Sequence, residues 1–581
     1  MHDRLPQLHK GLITHATRPT QGWYVLWLVL SFLMALLLGG WALYQSLDGA
    51  YVIQDDARQH VFWMRRFLDA GLFPNDVIAD YFQSVAPKGY TALYHGAAEL
   101  GLDPVLLSKI VPLLLGLITT GYCFGICLEL LPLPVAGFTA SLLLNQIIWT
   151  HDDVASGTPR AFVYPLFTAF LYYLLKRSLV PCWITIILQG LFYPQTVLLS
   201  AGLLAVQGLR WWMRVPQWPF TRRDAWLCGV GIGIAIAVTL PYLLSPSDYG
   251  PVVSLAEARS LPEFQSGGRA EFFRDNSVQF WLWDGRSGIL PRAGRLSPLI
   301  YAALLLPLMA WRSRWFPLCQ HIQPKVLMLV QMLGVSLAWF GLAHLLLYRL
   351  HLPSRYTQHT LRIGLSLAAA IALITLMDAF LHWAEQTHAH QRLRSIAGVM
   401  VSGAIALALL LFPLWVQFPR VGYVTGAYPD LYTFFSQQPV NTMIASIADE
   451  ASNLPSFSRR SVLTAREYGI PYHTGYYNQF VEHTTAVLQA QYSDDLDTVR
   501  TITQTYGIDF WLLDRHAFQS DYLRHSWVWQ YSDVVRPIQR SLRQGSRPIL
   551  KTLHQTCLVF ENSSLLVLDA ACVIEQGDST S

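Results

Sequence analysis

The chain has 581 residues, of which 53% are hydrophobic and only 13% are charged. Soluble domains average about 25% charged residues, so this composition excludes an ordinary soluble enzyme and indicates a membrane protein. The formal net charge of +4 gives no basis for binding nucleic acid.

Apolar segments recur from residue 23 to residue 417, and several approach the roughly 20 residues that cross a bilayer as a helix. The first segment is too long and too rich in tryptophan for a cleaved signal peptide, so we expect an uncleaved anchor. The predicted segments are 23–44, 105–130, 134–150, 160–175, 226–244, 297–311, 326–348, 361–382 and 396–417.

The block 180–209 decides the predicted topology. Basic residues flank it on both sides, which places both flanks in the cytoplasm under the positive-inside rule. The block is too short for two full crossings of about 20 residues each, so we expect two short legs, hinged near Tyr193-Pro194-Gln195 and shielded by neighbouring helices. The fold class is then a polytopic α-helical membrane protein of about eleven segments, with the N-terminus inside and the C-terminus outside.

This topology divides the chain into three parts. Residues 1–22 are cytoplasmic, 23–417 form the transmembrane domain with a large external loop at 45–104, and 418–581 form an extracytoplasmic soluble α/β domain. Within the first loop, the apolar spacing of Asp56–Leu68 predicts an amphipathic helix lying on the membrane surface.

Residue patterns in the tail predict both strands and helices. Cys557 and Cys572 lie together in this polar region, and in an oxidising compartment they can form a disulfide. The predicted strands are Phe510–Leu513, Leu558–Phe560 and, after a polar turn, Leu565–Leu568; the predicted helices are Asn478–Tyr492 and Asp495–Tyr506.

The first candidate site is the adjacent pair Asp55 and Asp56, followed by His60, directly after the first segment. A carboxylate at the mouth of a membrane cavity can act as a general base on an acceptor hydroxyl, with His60 in the same cavity. The alternative is a helix N-cap. We expect one aspartate to cap the helix and the other to serve the site.

The second candidate site is His151-Asp152-Asp153, at the end of the third segment and on the same predicted face as Asp56. Carboxylates that converge there can hold a divalent cation such as Mg or Mn through oxygen ligands. The candidate ligands are Asp56, Asp152 and Asp153. The alternative is a polar loop that caps the ends of two segments.

The third candidate site is an arginine-rich loop with Arg349, Arg355 and Arg362. Three arginines in an external loop run against the positive-inside bias, and guanidinium groups suit phosphate. A phosphate-bearing lipid is the expected ligand, and unspecific headgroup anchoring is the alternative. His95, near Tyr90 and Tyr94, either lines the cavity or is an ordinary interfacial histidine.

These features together resemble the GT-C class of integral-membrane glycosyltransferases, which use polyprenyl-phosphate-linked sugars. The matching positions are Asp55-Asp56 for the first-loop acid, Asp152-Asp153 for the second-loop acid and Arg355 for the phosphate contact. The tail, with Arg460-Ser461-Val462 through Ala465-Arg466-Glu467, Pro471-Tyr472-His473 and Tyr476-Tyr477, is similar to the tails of an uncharacterised bacterial branch of this class. The WWDYG-type motif of oligosaccharyltransferases is absent from the sequence, which argues against N-glycosylation of proteins.

The resemblance implies an inverting sugar transfer to a glycan, lipid or protein acceptor in the bacterial inner membrane, in the service of cell-envelope polysaccharide biosynthesis. Asp56, or its neighbour Asp55, would act on the acceptor hydroxyl. Arg355, helped by Arg349 or Arg362, would neutralise the departing phosphate. Asp152 or Asp153 would orient the acceptor or hold the cation.

Two other interpretations remain open from the sequence. A lipid or polysaccharide transporter would line its path with such charges, although transporters often contain internal repeats, and none is visible here. A catalytically inactive GT-C relative with a structural role is the other alternative.

Overall fold

The structure is a computed structural model that describes residue 9 and residues 22–212, 221–244, 247–291, 296–385 and 392–580. Helices dominate it. Ten long helices precede the tail: α1 Gly22–Leu47, α2 Pro104–Leu130, α3 Pro134–Ile148, α4 Val163–Leu175, α5 Leu179–Phe192, α6 Gln195–Trp212, α7 Arg222–Leu244, α8 Leu327–Leu345, α9 Gln358–Glu385 and α10 Arg392–Trp415.

Short helices fill the connections between the long ones. The segment between α1 and α2 contains several of them, and another follows α3 at the predicted second acidic site. These helices are Ala57–His60, Val77–Ser84, Lys88–Glu99, Asp152–Ala155, Leu255–Ala258 and Leu306–Trp311, the last continuing a 3₁₀ helix at Pro298–Leu305.

In the part of the chain that the structure describes, six helices are long and apolar enough to cross a membrane: α1, α2, α7, α8, α9 and α10. Large apolar side chains on them face outward, including Leu37 on α1, Ile236 on α7 and Val330 on α8. Contact with lipid accounts for such a surface, because soluble proteins rarely expose broad apolar patches. The chain is therefore an integral membrane protein, and the count of about eleven crossings stays a prediction, because the other predicted segments form shorter helices.

The block 180–209 forms the predicted pair of short legs. Helix α5 ends at Phe192 and α6 begins at Gln195, with Pro194 between them. A proline disfavours helical geometry in the residue before it, and Tyr193 accordingly leaves the helix. Both legs are shorter than a full crossing, and the hinge between them lines the cavity described below.

The prediction of a surface helix at Asp56–Leu68 is wrong. The segment forms a short helix at Ala57–His60 and a 3₁₀ helix at Phe62–Phe67, and the side chains of Phe62, Trp63 and Met64 are fully buried in protein. The ring of Phe62 packs on Tyr468 of the tail, with 5.6 Å between centroids. These three side chains are therefore covered by protein and not by lipid headgroups, a distinction that helical spacing cannot make.

A two-stranded sheet joins the segment directly after α1 to the start of the tail. Strand β1, Val52–Gln54, pairs antiparallel with β2, Tyr423–Thr425. The remaining strands form one mixed sheet in the order β4-β3-β5-β7-β6: β3 Met443–Ala445, β4 Ser461–Val462, β5 Phe510–Asp514, β6 Leu558–Glu561 and β7 Leu565–Asp569. Strand β3 is parallel to β4 and β5, and β7 is antiparallel to its neighbours.

Helices α11, Thr474–Tyr492, and α12, Leu496–Tyr506, pack on this sheet around Trp511. The predicted strands and helices of the tail are confirmed, as is the disulfide between Cys557 and Cys572. Strands β3 and β4 have only two or three residues each, too few for alternation to be recognised. The other tail helices are Pro429–Ser436, Leu454–Phe457, Tyr522–His525, Ser532–Arg543, Ile549–Thr552 and Ala570–Thr580.

Candidate active site

A cavity of about 860 Å³ brings the three predicted sites together. It lies where the segment between α1 and α2, the end of α3, the connection between α8 and α9 and the tail meet. Every predicted site residue except His95 lines it. The lining residues from these predictions are Asp55, Asp56, His60, His151, Asp152, Asp153, Arg349, Arg355 and Arg362.

The first acidic pair is held in place by the two-stranded sheet. The backbone N–H of Asp55 donates to the carbonyl of Gly422, 3.0 Å away, the residue directly before β2. The side-chain oxygen of Gln54 accepts from the backbone N–H of Asp56 and caps the short helix. The expectation that one aspartate caps this helix is wrong, because the carboxylate of Asp56 makes no cap hydrogen bond. Asp55 pairs instead with Arg58.

Arg160 draws the two acidic pairs into one cluster. Its Nη2 donates to Asp56 Oδ2 and lies 3.6 Å from Asp152 Oδ1, while its Nε lies 3.1 Å from Asp153 Oδ1. Pro159 begins the 3₁₀ turn that carries Arg160, and the arginine side chain is 13% exposed. One largely buried guanidinium therefore contacts three carboxylates from two distant parts of the sequence.

Asp153 is the deepest of the three acids. Arg362 of α9 donates to it, and the hydroxyl of Tyr164 lies 2.8 Å from Arg362 Nη1. Burial alone would raise the pKa of Asp153, but the charges of Arg362 and Arg160 hold that pKa well below its usual range. Asp153 is therefore ionised at neutral pH, and Arg362 is committed to it and not to a phosphate.

The histidines differ in their surroundings. His151 donates from Nδ1 to the carbonyl of Ile147, 2.8 Å away, and burial and Arg362 lower its pKa to about 3. Burial also lowers the pKa of His60, which lines the cavity. Both are thus neutral at pH 7. The interpretation of His95 as a cavity residue is wrong, because its ring packs at a tilt against Phe67 outside the cavity and its side chain is 53% exposed.

Three arginines in the cavity lack a carboxylate partner among the described residues: Arg286, Arg349 and Arg355. Arg286 donates to the hydroxyl of Tyr472 and to a backbone carbonyl. The buried Nε of Arg355 has no hydrogen-bond partner within the part of the chain that the structure describes. Arg286 and Arg355 are half-buried and Arg349 is exposed, and guanidinium groups without an ion-pair partner in the described chain suit an anion, so these three groups define an anion-binding region of the cavity.

Sequence reasoning missed Arg286, which lies between α7 and α8 in a stretch without a recognisable motif. It also missed the role of Glu467. This buried glutamate accepts from Arg58 at 3.0 Å and from Arg269, and so ties the tail to two loops of the membrane domain. No spacing in the sequence links these residues, which are brought together only by the fold.

One side of the cavity is apolar. Helices α6, α7 and α8 supply it, with the connection after α8. The α5–α6 hinge adds Tyr193. The apolar lining consists of Leu198, Tyr242, Leu243, Trp339, Leu342 and Leu346. The charged cluster therefore adjoins a groove suited to a hydrocarbon chain.

The predicted cation ligands do converge, but they do not fit a divalent cation as they stand. The guanidinium of Arg160 contacts all three carboxylates, and Arg362 takes an oxygen of Asp153. A divalent cation needs carboxylate oxygens that are free to coordinate it. Within the described ranges, no group of three or more His, Cys, Asp or Glu side chains is placed to hold a metal.

No protein-family model matches the chain, and no curated protein sequence does either. Solved structures do match. The archaeal oligosaccharyltransferase AglB from Archaeoglobus fulgidus, in complex with an inhibitory peptide and a dolichol-phosphate, superposes with a TM-score of 0.55 at 10% identity, covering 90% of this chain and 73% of that one. The chain has the GT-C fold of this enzyme.

The same archaeal enzyme in its apo form covers 90% of this chain and 73% of its own, at 11% identity and a TM-score of 0.48. The match to the dolichol-phosphate complex, with its TM-score of 0.55, confirms at the level of the fold the GT-C resemblance that the sequence indicated. At this identity the likeness concerns the path of the chain, so the reaction has to be argued from the residues of the cavity.

Proposed function

We propose that the protein transfers a sugar from a polyprenyl-phosphate-linked donor to a hydroxyl of a glycan, lipid or protein acceptor, with inversion at the anomeric carbon. The observation that carries the proposal is one cavity lined by carboxylates, by arginines that have no acidic partner among the described residues, and by an apolar groove. The phosphate of a lipid-linked donor matches the arginines, its hydrocarbon chain matches the apolar groove, and an acceptor hydroxyl matches the carboxylates.

Arg355, Arg349 and Arg286 bind the donor phosphate in this proposal. Their positive charge is not offset by ion pairs among the described residues, and the planar guanidinium forms paired hydrogen bonds to phosphate oxygens. Fixed positive charge beside the leaving group stabilises the negative charge that develops there. Arg362 is left out of this set because Asp153 already holds it.

The polyprenyl chain lies in the apolar groove between α6, α7 and α8. The hinge between the short legs α5 and α6 lines this side of the cavity together with α7 and α8. Each buried CH₂ contributes about 0.8 kcal/mol, so a chain of several isoprene units anchors the donor while the arginines hold its phosphate.

Asp56 is the general base. Its Oδ2 is held by Arg160, whereas Oδ1 forms no hydrogen bond within the described part of the chain. Asp56 takes the proton of the acceptor hydroxyl as that oxygen attacks the anomeric carbon. The bond between this carbon and the phosphate oxygen breaks, and the electron pair leaves with the polyprenyl phosphate. The carboxylate of Asp55 is occupied by Arg58, whereas that of Asp152 is half exposed. Asp152 is therefore better placed than Asp55 to orient the acceptor.

The site faces the outside of a bacterial inner membrane in this proposal. The division into a cytoplasmic segment 1–22, a transmembrane domain 23–417 and an extracytoplasmic domain 418–581 belongs to it. The disulfide between Cys557 and Cys572 supports an oxidising compartment for the tail. The dolichol-phosphate bound by AglB supports a polyprenyl phosphate as the lipid.

The proposal is tested by native mass spectrometry of the protein purified in mild detergent, which requires no choice of sugar or acceptor. We expect a co-purifying polyprenyl phosphate or its glycosylated form, lost in Arg355→Ala. Arg259→Ala is the matched control, since Arg259 is exposed and lies outside the cavity. Ordinary phospholipids alone, equal in all three proteins, would refute the donor site.

A further inference from the structure

We propose that the guanidinium of Arg160 takes the place of a divalent cation in the acidic cluster of Asp56, Asp152 and Asp153, so that this site works without a bound metal. The catalytic meaning of this inference rests on the proposed transfer reaction. The statement about cation binding stands on the geometry of the cluster alone.

The contacts of Arg160 are those expected of a bridging cation. One side chain reaches a carboxylate oxygen of each of the three aspartates, through Nη2 to Asp56 and Asp152 and through Nε to Asp153. These acids come from two separate connections of the fold. Without a shared cation their charges would repel one another, because like charges at such distances cannot be held together in a partly buried site.

Two features make the guanidinium hard to displace. Arginine stays protonated at every accessible pH, so its charge cannot be lost by titration. Its side chain is only 13% exposed, and Pro159 holds the turn that carries it. A divalent ion would have to break three contacts of this group and also the pair between Arg362 and Asp153.

Arg160 is therefore a positioning residue for Asp56. It holds Oδ2 and leaves Oδ1 for the acceptor hydroxyl. A metal ion would do the same by coordinating one carboxylate oxygen. The tethered cation makes this orientation independent of the metal concentration outside the cell.

The decisive experiment measures Mn²⁺ binding by electron paramagnetic resonance in the purified full-length protein, which needs neither donor nor acceptor. Wild type is compared with Arg160→Met, which removes the charge at similar length, and with Arg160→Lys, which keeps it. We expect no Mn²⁺ bound at the cluster in wild type or Arg160→Lys. Arg160→Met exposes the acidic cluster and should bind Mn²⁺ at least about tenfold more tightly, and adding Asp153→Asn should abolish this gain.

Binding of one Mn²⁺ per chain to wild type, lost in Asp153→Asn, would overturn the proposal. So would a folded Arg160→Met protein, judged by its elution and melting temperature, that gains no Mn²⁺. If that variant does not fold, the wild-type and Arg160→Lys titrations still decide the question. Failure of the transferase proposal would show up in the lipid measurement with Arg355→Ala and leave the Mn²⁺ result unchanged.

Discussion

Replacing either partner of the buried pair between Asp153 and Arg362 should have unequal effects on stability. The two side chains are 3% and 4% exposed. Removing one partner of such a pair costs about 3–5 kcal/mol, because the remaining charge is buried without compensation. Asp153→Asn leaves Arg362 with the hydroxyl of Tyr164 as its remaining side-chain partner in the described chain, so the full cost applies.

Arg362→Met should lower the free energy of unfolding by about half as much, because Asp153 keeps its contact with Arg160 at 3.1 Å. The double variant should cost less than the sum of the single variants, because it leaves no unpaired arginine at this point. Equilibrium unfolding in mixed detergent micelles measures these differences. Glu561→Gln, which breaks the exposed pair with Arg515, is the control and should stay within about 1 kcal/mol. Equal costs for the two single variants, or the reverse order, would refute this reasoning.

Three further predictions follow from the groove, the loop after α8 and the tail. Leu346→Trp narrows the groove and should weaken the binding of a long polyprenyl phosphate about tenfold, which corresponds to the loss of about two buried CH₂ groups. The binding of farnesyl phosphate, whose chain is short, should not change. Equal effects on both lipids would contradict the groove assignment. Burial and the charge of Arg355 lower the pKa of His351 to about 3, so the stability that its neutral ring contributes is present above about pH 6.5 and is lost as the pH falls toward 3. In His351→Asn, which suits the positive φ of 62° there, the free energy of unfolding should fall by about 1 kcal/mol less than in wild type between pH 7 and 5.5. An equal fall in the two proteins would contradict this. Replacing both Cys557 and Cys572 by serine opens a loop of 15 residues and should destabilise the tail by about 3 kcal/mol. The measurement is the rate of proteolysis of the tail, which should rise. An unchanged rate would show that the disulfide adds no stability.

Much of the fold could be predicted because the apolar segments are long enough to be recognised by composition. The hairpin at 180–209 was found from charge on its flanks and from Pro194, since both are local signals. The segment Asp56–Leu68 was misjudged for the opposite reason. Its apolar spacing indicates that one face is buried, but only the fold shows that protein and not lipid covers it, with Phe62 packed on Tyr468 of the tail.

The acidic and basic site residues were recognisable because charges beside membrane segments are costly and rarely placed by chance. Their pairing was not. Arg362 looks like a phosphate ligand in sequence, yet α9 directs it to Asp153. Arg286 belongs to a loop whose position depends on contacts with Tyr472 of the tail, far along the chain. Such long-range partners carry no spacing that a single sequence can reveal.

The most direct test of the central claim is the release of polyprenyl phosphate by the purified enzyme. Membranes from the source organism, which contain donor and acceptor, would be incubated with wild type or Asp56→Asn, and free polyprenyl phosphate measured by mass spectrometry. We expect wild type to release it over time and Asp56→Asn to be slower by at least about a hundredfold, the usual contribution of a general base. No release by wild type, or equal release by both proteins, would contradict the account.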